Sequence, residues 1–165
     1  MSVAVMLDWD EMLRGCTAGS MRSIRHLMKG DTEHKWGMDS SKTFDAHCYG
    51  CLAELVVAKH LGVWWSGEGL YEFSDVGQVE VRYAHKRNYR LILHDDDHDN
   101  RPYVLVTGEG SLGTFWIDGW IMGCDGKNDD WWEDPGTARP AYFVPRDQLR
   151  PMDELQSDYF SRCVL

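Results

Sequence analysis

Four charged residues in the middle of the chain have the types and the spacing that metal-assisted chemistry on a phosphate requires. Glu54 comes first, and Asp75, Glu80 and Arg82 follow it as Asp-x4-Glu-x-Arg. Carboxylate oxygens are the ligands that Mg²⁺ prefers, and a bound Mg²⁺ can activate a water molecule against a phosphate. A cation beside the carboxylates can stabilise charge on the phosphoryl group. These four are therefore the candidate catalytic residues, and the three carboxylates are the candidate metal ligands.

Glu54 is the single carboxylate of the mostly apolar segment Gly50-CLAELVVAKHLG. Helical spacing places it on one stripe with Cys51, Ala58 and Leu61, so its carboxylate is expected to be partly buried. A buried acid needs a partner or a metal ion. The alternative is a helix edge that faces solvent.

The segment after Glu54 is predicted to bring the other two carboxylates together. Alternating apolar residues from Val79 to Tyr83 occupy one face of a strand, which leaves Glu80 and Arg82 on the other face. Asp75 lies just before, next to a turn or bulge. Two neighbouring carboxylates repel each other unless a divalent cation lies between them. The alternative is an ordinary ion pair between Glu80 and Arg82, worth under about 1 kcal/mol when exposed.

The elements that must position these residues follow from hydrophobic periodicity. Helices are predicted at 6–28, with a weak point near Gly15 and Gly19, and at 45–61, ending at Gly62. A polar loop covers 31–43, and a Trp-containing loop covers 123–139. A short helical end is expected at 147–155, and strands are predicted at 71–73, 79–85, 89–94, 103–107, 115–122 and 141–144. This order predicts an α+β fold with an antiparallel or mixed central sheet flanked by helices.

Two further motifs are interpreted as turns. Gly108-Glu-Gly-Ser-Leu-Gly113 matches a glycine-rich nucleotide loop, but a strand follows it where a dinucleotide site needs a helix, so a hairpin turn is predicted. The acidic run from Asp95 to Asn100 lacks the glycine and the glutamate of a calcium-binding EF-hand loop. A solvated hairpin turn between two strands is predicted there.

The cysteines predict neither a disulfide framework nor a zinc site. Five of them, an odd number, occur without regular spacing. His47, Cys48 and Cys51 are possible zinc ligands, but a structural zinc site needs a fourth ligand and no second pair follows. Buried thiols are expected instead.

Composition bounds the class of protein. With 165 residues a single domain over 1–165 is expected, and 43% hydrophobic residues argue against disorder. No apolar run approaches the roughly 20 residues of a membrane span, and Asp8 interrupts any apolar leader, so a soluble, cytoplasmic protein is expected. The net charge is −10, which argues against binding nucleic acid by general electrostatics and leaves only a local basic stretch.

A helix glutamate followed by Asp-x4-Glu-x-basic resembles the PD-(D/E)XK nuclease superfamily. The further segments Gly-x-x-x-Glu54-Leu-x-Val-Ala58-Lys59, Asp75-Val-Gly77, Tyr103-Val-Leu-Val-Thr-Gly108, Gly119-Trp-Ile121 and Ala141-Tyr-Phe-Val-Pro145 resemble small phage-associated proteins of that type. The resemblance covers about 50–155 as a nuclease-like core, and leaves 1–45 as a helical N-terminal extension. It implies a restriction-endonuclease-like core, with Mg²⁺ or Mn²⁺ held by Glu54, Asp75 and Glu80.

Two positions depart from the family pattern. Ser74 stands where the family has proline, and Arg82 stands where it has the catalytic lysine. Arginine keeps its proton and cannot act as a base, although it can stabilise a transition state. Lys86, four residues further on, is a possible substitute for the lysine.

Two functions are therefore expected as alternatives. The first is a metal-dependent nuclease, phage-associated and acting in the host cytoplasm, whose expected substrate is DNA. It would contact nucleic acid through its one basic stretch: Arg82, His85, Lys86, Arg87 and Arg90. The second is a catalytically inactive protein of the same fold. Its acidic surface and exposed tryptophan pairs, Trp64-Trp65 and Trp131-Trp132, would contact a host or phage protein.

Overall fold

The computed structural model describes residues 2–28, 43–67, 74–108, 113–134, 136 and 139–155. Within them the order is β1 (Val3–Met6), α1 (Trp9–Met28), α2 (Thr43–Leu61), β2 (Glu80–Ala84), β3 (Leu91–Leu93), β4 (Pro102–Thr107), β5 (Thr114–Met122), a four-residue helix α3 (Gly123–Gly126), β6 (Trp132–Glu133) and β7 (Ala141–Val144). Short 3-10 turns lie at Asp129–Trp131 and Arg146–Gln148. The predicted α+β class is confirmed. No helix among these residues has the length and apolar character to cross a membrane.

The strands form two sheets. Four strands in the order β1-β5-β4-β2 form the larger sheet, and three in the order β3-β7-β6 form the smaller. β1 and β4 pair with β5 in antiparallel fashion, whereas β2 pairs with β4 in parallel. The central sheet is therefore mixed.

The larger sheet is the middle layer of the molecule. Val104 and Val106 of β4 pack into the apolar cluster that contains α2, while Tyr103 and Leu105 pack into the second cluster with β3 and β7. This alternation puts the helices on one face of β4 and the smaller sheet on the other. The face of the larger sheet on which a side chain lies therefore determines whether it contacts the helices or the smaller sheet.

The N-terminal region is more than a helical extension. β1, which the sequence did not predict, pairs with β5 at the sheet edge. Asp8 and Glu11 cap α1 reciprocally, since the Glu11 amide donates to Asp8 Oδ1 (2.9 Å) and the Asp8 amide donates to Glu11 Oε2 (2.8 Å). α1 is then unbroken to Met28, so the predicted weak point is wrong. Gly15 and Gly19 instead face α2, where a Cβ on Gly19 would collide with the backbone of Cys48.

Five other predictions, all for loops, turns or a short strand, compare with the structure as follows. The acidic run from Asp95 does not close a hairpin, because β3 and β4 on its two sides belong to different sheets. The predicted turn at 109–112 lies outside the described residues, although the strands that flank it are antiparallel neighbours. The strand predicted at 71–73 also lies outside them, as does the loop predicted over 31–43 except for Thr43, which begins α2. The loop predicted at 123–139 includes α3 and β6.

Candidate functional site

Asp75 and Glu80 lie on either side of a tight turn closed by Val76 and Val79. The Val76 amide donates to the Val79 carbonyl (3.0 Å) and the Val79 amide donates to the Val76 carbonyl (2.9 Å). Gly77, at the first central position of the turn, has φ +62°, a value that suits glycine. Asp75 and Glu80 flank this isolated bridge, and the charge of Glu80 contributes to the raised pKa of Asp75. The Asp-x4-Glu spacing is thus what a two-residue hairpin needs to juxtapose two carboxylates.

Glu80 and Arg82 share the face of β2 that points away from the helices. Val81 and Tyr83 pack against the helix-side core, as the alternation of β2 predicted. Glu80 Oε1 accepts a hydrogen bond from Arg101 at 2.5 Å. Arg82 donates to Asp97 Oδ1 at 2.9 Å and lies over the Tyr103 ring, 5.0 Å from its centroid.

Glu54 lies on the opposite, helical side and is only 4% exposed. Arg22 of α1 binds it with two hydrogen bonds, 2.6 Å to Oε1 and 2.7 Å to Oε2. The indole nitrogen of Trp65 also donates to Oε2, at 2.9 Å. Burial alone would lower the pKa of Arg22, but the pairing with Glu54 raises it on balance. Glu54 is therefore a buried acid with a complete set of partners.

Sequence reasoning missed Arg22 and the role of Trp65. The signal that was present is the buried acid itself, which requires a cation or a metal. The sequence could not identify which cation, because Arg22 lies in a different helix.

Asp75 is the third carboxylate, and the charges of both Glu54 and Glu80 act on it. Val81 donates its amide to Asp75 Oδ2 at 2.8 Å, and no ion pair to Asp75 occurs among the described residues. Burial raises the pKa of Asp75 to about 7, with repulsion from Glu54 and Glu80 adding to the shift, while the Val81 amide and Arg82 oppose it. Asp75 therefore changes charge near neutral pH.

The three carboxylates do not form one compact group. Across the part of the chain that the structure describes, no three Asp, Glu, His or Cys side chains are close enough to hold a metal ion. The reason is the layering: Glu54 belongs to the helical side, Glu80 to the opposite face of β2, and Asp75 to the hairpin beside the sheet edge. Asp75 and Glu80 are the pair that the backbone holds together.

The predicted basic stretch is largely engaged within the protein. Arg87 donates to Thr107 and to the buried Asp118, and Arg90 makes a two-bonded pair with Glu133. Arg82 is paired with Asp97, as described above. His85 and Lys86 are exposed, and Lys86 contacts only the Tyr89 ring, at 5.8 Å, among the described residues. The stretch thus presents two exposed basic side chains rather than five.

The acidic run from Asp95 to Asp99 has its own cations. Lys127 donates to the carbonyls of Asp95 and Asp97 and to Asp99 Oδ1, and Arg139 binds Asp95 and Asp96. The run is therefore a solvent-exposed connection between the two sheets that ion pairs hold in place, and the predicted hairpin is wrong.

The cysteine cluster lies in the packed interface of α1 and α2. Cys51 is fully buried, and burial raises the pKa of its thiol to about 12. Cys48 lies against Ser20 and the Cys16 carbonyl, and burial raises its pKa as well. Thiols held protonated in this way are poor metal ligands.

In each of the two tryptophan pairs that were predicted to be exposed, one member is exposed and the other is not. Trp64 is 83% exposed, but Trp65 is buried against Glu54, so the prediction is wrong for Trp65. Trp132 is exposed and stacks edge-on with Tyr142, while Trp131 is half-buried.

A cavity of about 320 Å³ lies between α1, α2 and β2. Its walls are mainly apolar, and they include Met12, Phe44, Tyr49, Leu52, Tyr83 and Phe115. Its lining includes none of Glu54, Asp75 and Glu80, so the cavity is separate from these three candidate carboxylates.

Comparison of the chain with protein-family models, with curated proteins and with solved structures gives no match in any of the three. The candidate site therefore depends on its own geometry.

Proposed function

We propose that this protein is a divalent-metal-dependent nuclease with a restriction-endonuclease-like core, and that Asp75 and Glu80 bind its metal ion. The observation that carries the proposal is Asp75, a carboxyl with a pKa raised to about 7 by burial and by two neighbouring carboxylates. A carboxyl whose pKa is strongly shifted by burial and by charged neighbours is a candidate for a functional site. A divalent cation would remove the repulsion that Asp75 experiences.

The free oxygens of the hairpin fit magnesium or manganese. Among the described residues, Asp75 Oδ1 and Glu80 Oε2 accept no hydrogen bond, because Val81 binds Oδ2 and Arg101 binds Oε1. Mg²⁺ is commonly held by one or two carboxylates, with water and substrate phosphate completing its shell. Bound there, the ion would activate water and polarise the phosphate.

The surrounding residues have supporting roles in this proposal. Arg22 holds Glu54 in place through their ion pair, and Glu54 in turn raises the pKa of Asp75 from the helical side. Arg101 orients Glu80. Arg82 would have to exchange Asp97 for a phosphate oxygen, and Lys86 is an exposed cation that can contact the nucleic-acid backbone.

Metal binding tests the proposal first. Titration of the protein with Mn²⁺ should show one site, and Asp75→Asn or Glu80→Gln should each weaken binding at least tenfold. Asp153→Asn is the matched control, since Asp153 is an exposed aspartate in another part of the chain. Binding should also weaken as the pH falls below 7, because the metal must displace the proton of Asp75.

Cleavage tests it second. With Mg²⁺ or Mn²⁺ the protein should cut single-stranded, duplex or branched DNA or RNA, and Glu80→Gln should abolish cutting while circular dichroism shows that the protein remains folded. Arg82→Lys should retain or raise the rate, since it restores the residue that the resemblance implies. Absence of both metal binding and cleavage would rule out the nuclease.

A second candidate function is a binding protein on the same fold without catalysis. The observation that favours it is the engagement of Arg82, Arg87 and Arg90 in internal ion pairs, in a chain of net charge −10. Such a surface attracts phosphate weakly. Metal binding without cleavage of any substrate, including by the Arg82→Lys variant, would favour this function.

A further inference from the structure

The outer face of α1 carries an exposed apolar stripe. Gly15, Gly19 and Ser23 are the buried residues of α1 and point toward α2. On the opposite side the exposed residues include large apolar ones, with exposed fractions between 50% and 82%: Trp9, Leu13, Met21, Ile24, Leu27 and Met28. At about 100° per residue these six fall within one sector of about 120° on the helix. We call them the α1 stripe.

The stripe has the spacing of a helix-pairing seam. Leu13, Thr17, Ser20, Ile24 and Leu27 follow one another at intervals of four, three, four and three residues. The two ends of this seam are large and apolar, and its centre is small: Thr17 is exposed, and Ser20 is half-buried at the edge of the face that contacts Cys48 of α2. Small central residues allow two helices to approach closely, and the large residues then pack on either side.

We propose that the α1 stripe binds the same stripe of a second copy of this chain, with the two helices antiparallel. A twofold contact of this kind places Leu13 against Ile24 of the partner, and Thr17 against the partner's Ser20, twice over. This proposal is independent of the nuclease proposal, because the stripe contains none of the acidic residues.

The charges at the two ends of α1 favour the antiparallel direction. α1 has Asp10 and Glu11 in its first turn and Arg25 and His26 in its last turn. Asp10 and Arg25 are exposed and take part in no ion pair among the described residues. Antiparallel pairing brings Asp10 to within about two residues, or about 3 Å along the axis, of the partner's Arg25. It also opposes the two helix dipoles, whereas parallel pairing would place like charges and like dipole ends together.

The available area agrees with a dimer. The six side chains of the stripe expose on the order of 700 Å² of mainly apolar surface in each copy, close to the roughly 800 Å² per partner of a standard interface. Exposed apolar patches of several hundred Å² are typical of interaction sites.

The mass in solution tests the proposal. Sedimentation should give twice the chain mass of 19.0 kDa at micromolar concentration, and Leu13→Glu with Ile24→Glu should return it to 19.0 kDa. Trp64→Glu is the control, because Trp64 is an apolar residue outside α1 that is even more exposed (83%) and should leave the dimer intact. A chain that stays monomeric at 100 µM, or a dimer that survives the double substitution, would overturn the proposal.

Charge exchange tests the direction and avoids apolar substitutions. Asp10→Arg and Arg25→Asp should each weaken the dimer several-fold, and the two together should restore it. Circular dichroism should show the same helix content in all of these variants, since every substituted side chain is exposed. A double variant that is weaker than both single variants would contradict antiparallel pairing.

Discussion

Glu54 and Asp75 are two acids that influence each other, yet the protein treats them in opposite ways. Glu54 is buried and accepts three hydrogen bonds, two from Arg22 and one from Trp65. Asp75 accepts one, from the Val81 amide, and its pKa is raised to about 7. The two acids therefore differ in the partners that the fold gives them.

The contrast separates a structural acid from a functional candidate. Breaking a buried ion pair is costly because the remaining charge stays buried, so Glu54 and Arg22 hold α1 against α2. Asp75 is instead a source of electrostatic strain that a proton or a metal ion relieves. The negative charge that the first pair fixes in place is part of what raises the pKa of the second acid.

The largest expected effect is at Arg22. Arg22→Met leaves Glu54 buried without a counter-charge, and we expect it to lower the free energy of unfolding by on the order of 3–5 kcal/mol. For a chain of this length that is a fall of roughly 10 °C in melting temperature. The melting temperature of Arg22→Lys should lie between those of the wild type and Arg22→Met, because lysine keeps the charge but loses the two-bonded geometry.

Two controls test whether the pair is the cause. Arg14→Met removes an exposed arginine from the same helix and should change the melting temperature little. Combining Arg22→Met with Glu54→Gln should cost much less than the sum of the single changes. Additive effects would show that Arg22 stabilises α1 by some contact other than Glu54.

The next largest effect on stability is expected at Asp75, where the substitution should stabilise the protein instead of destabilising it. The carboxyl has a pKa of about 7 in the folded protein and about 3.9 in the unfolded chain, so folding binds a proton between these values. The stability contributed by that proton is present below pH 4 and is lost as the pH rises through 7. Asp75→Asn should therefore stabilise the metal-free protein at pH 9 by on the order of 2 kcal/mol.

The pH dependence distinguishes this from an ordinary surface change. At pH 4 the same substitution should have little effect, because the wild-type carboxyl is protonated there. Asp153→Asn should show no such difference between the two pH values. If Asp75→Asn destabilises the protein equally at both, Asp75 is a structural hydrogen-bond acceptor and not a strained acid.

Local patterns in the sequence predicted the parts of the molecule that local geometry determines. α2 was expected to end at Gly62, and it ends at Leu61 with Gly62 at φ +68°. β7 was predicted with its observed bounds, and the face of β2 that carries Glu80 followed from strict alternation. The placement of Asp75 opposite Glu80 needs only a two-residue turn between them.

Contacts between distant segments could not be predicted in this way. The partner of Glu54 is 32 residues away in another helix, and β1 pairs with a strand more than a hundred residues later. The acidic run resembled a hairpin because strands flank it, but pairing is decided by which strand lies beside each one, and here β3 joins β7. Nothing in the periodicity of a strand specifies its neighbour.

The smallest expected effect is at the surface counterpart of the buried pair. Arg90 binds Glu133 with the same two-bonded geometry, at 2.7 and 2.9 Å, but the two side chains are 40% and 48% exposed. Glu133→Gln should leave the melting temperature within experimental scatter, since Arg90 remains in water and still lies over the Phe143 ring, 4.8 Å from its centroid. Glu54→Gln, the same change at the buried pair, should lower it clearly, because Arg22 then keeps a buried charge without its counter-ion. Thermal denaturation of both variants at low and high salt would measure this contrast. Equal losses at the two positions would show that hydrogen-bond geometry, rather than burial, determines how strongly an arginine holds a glutamate in this protein.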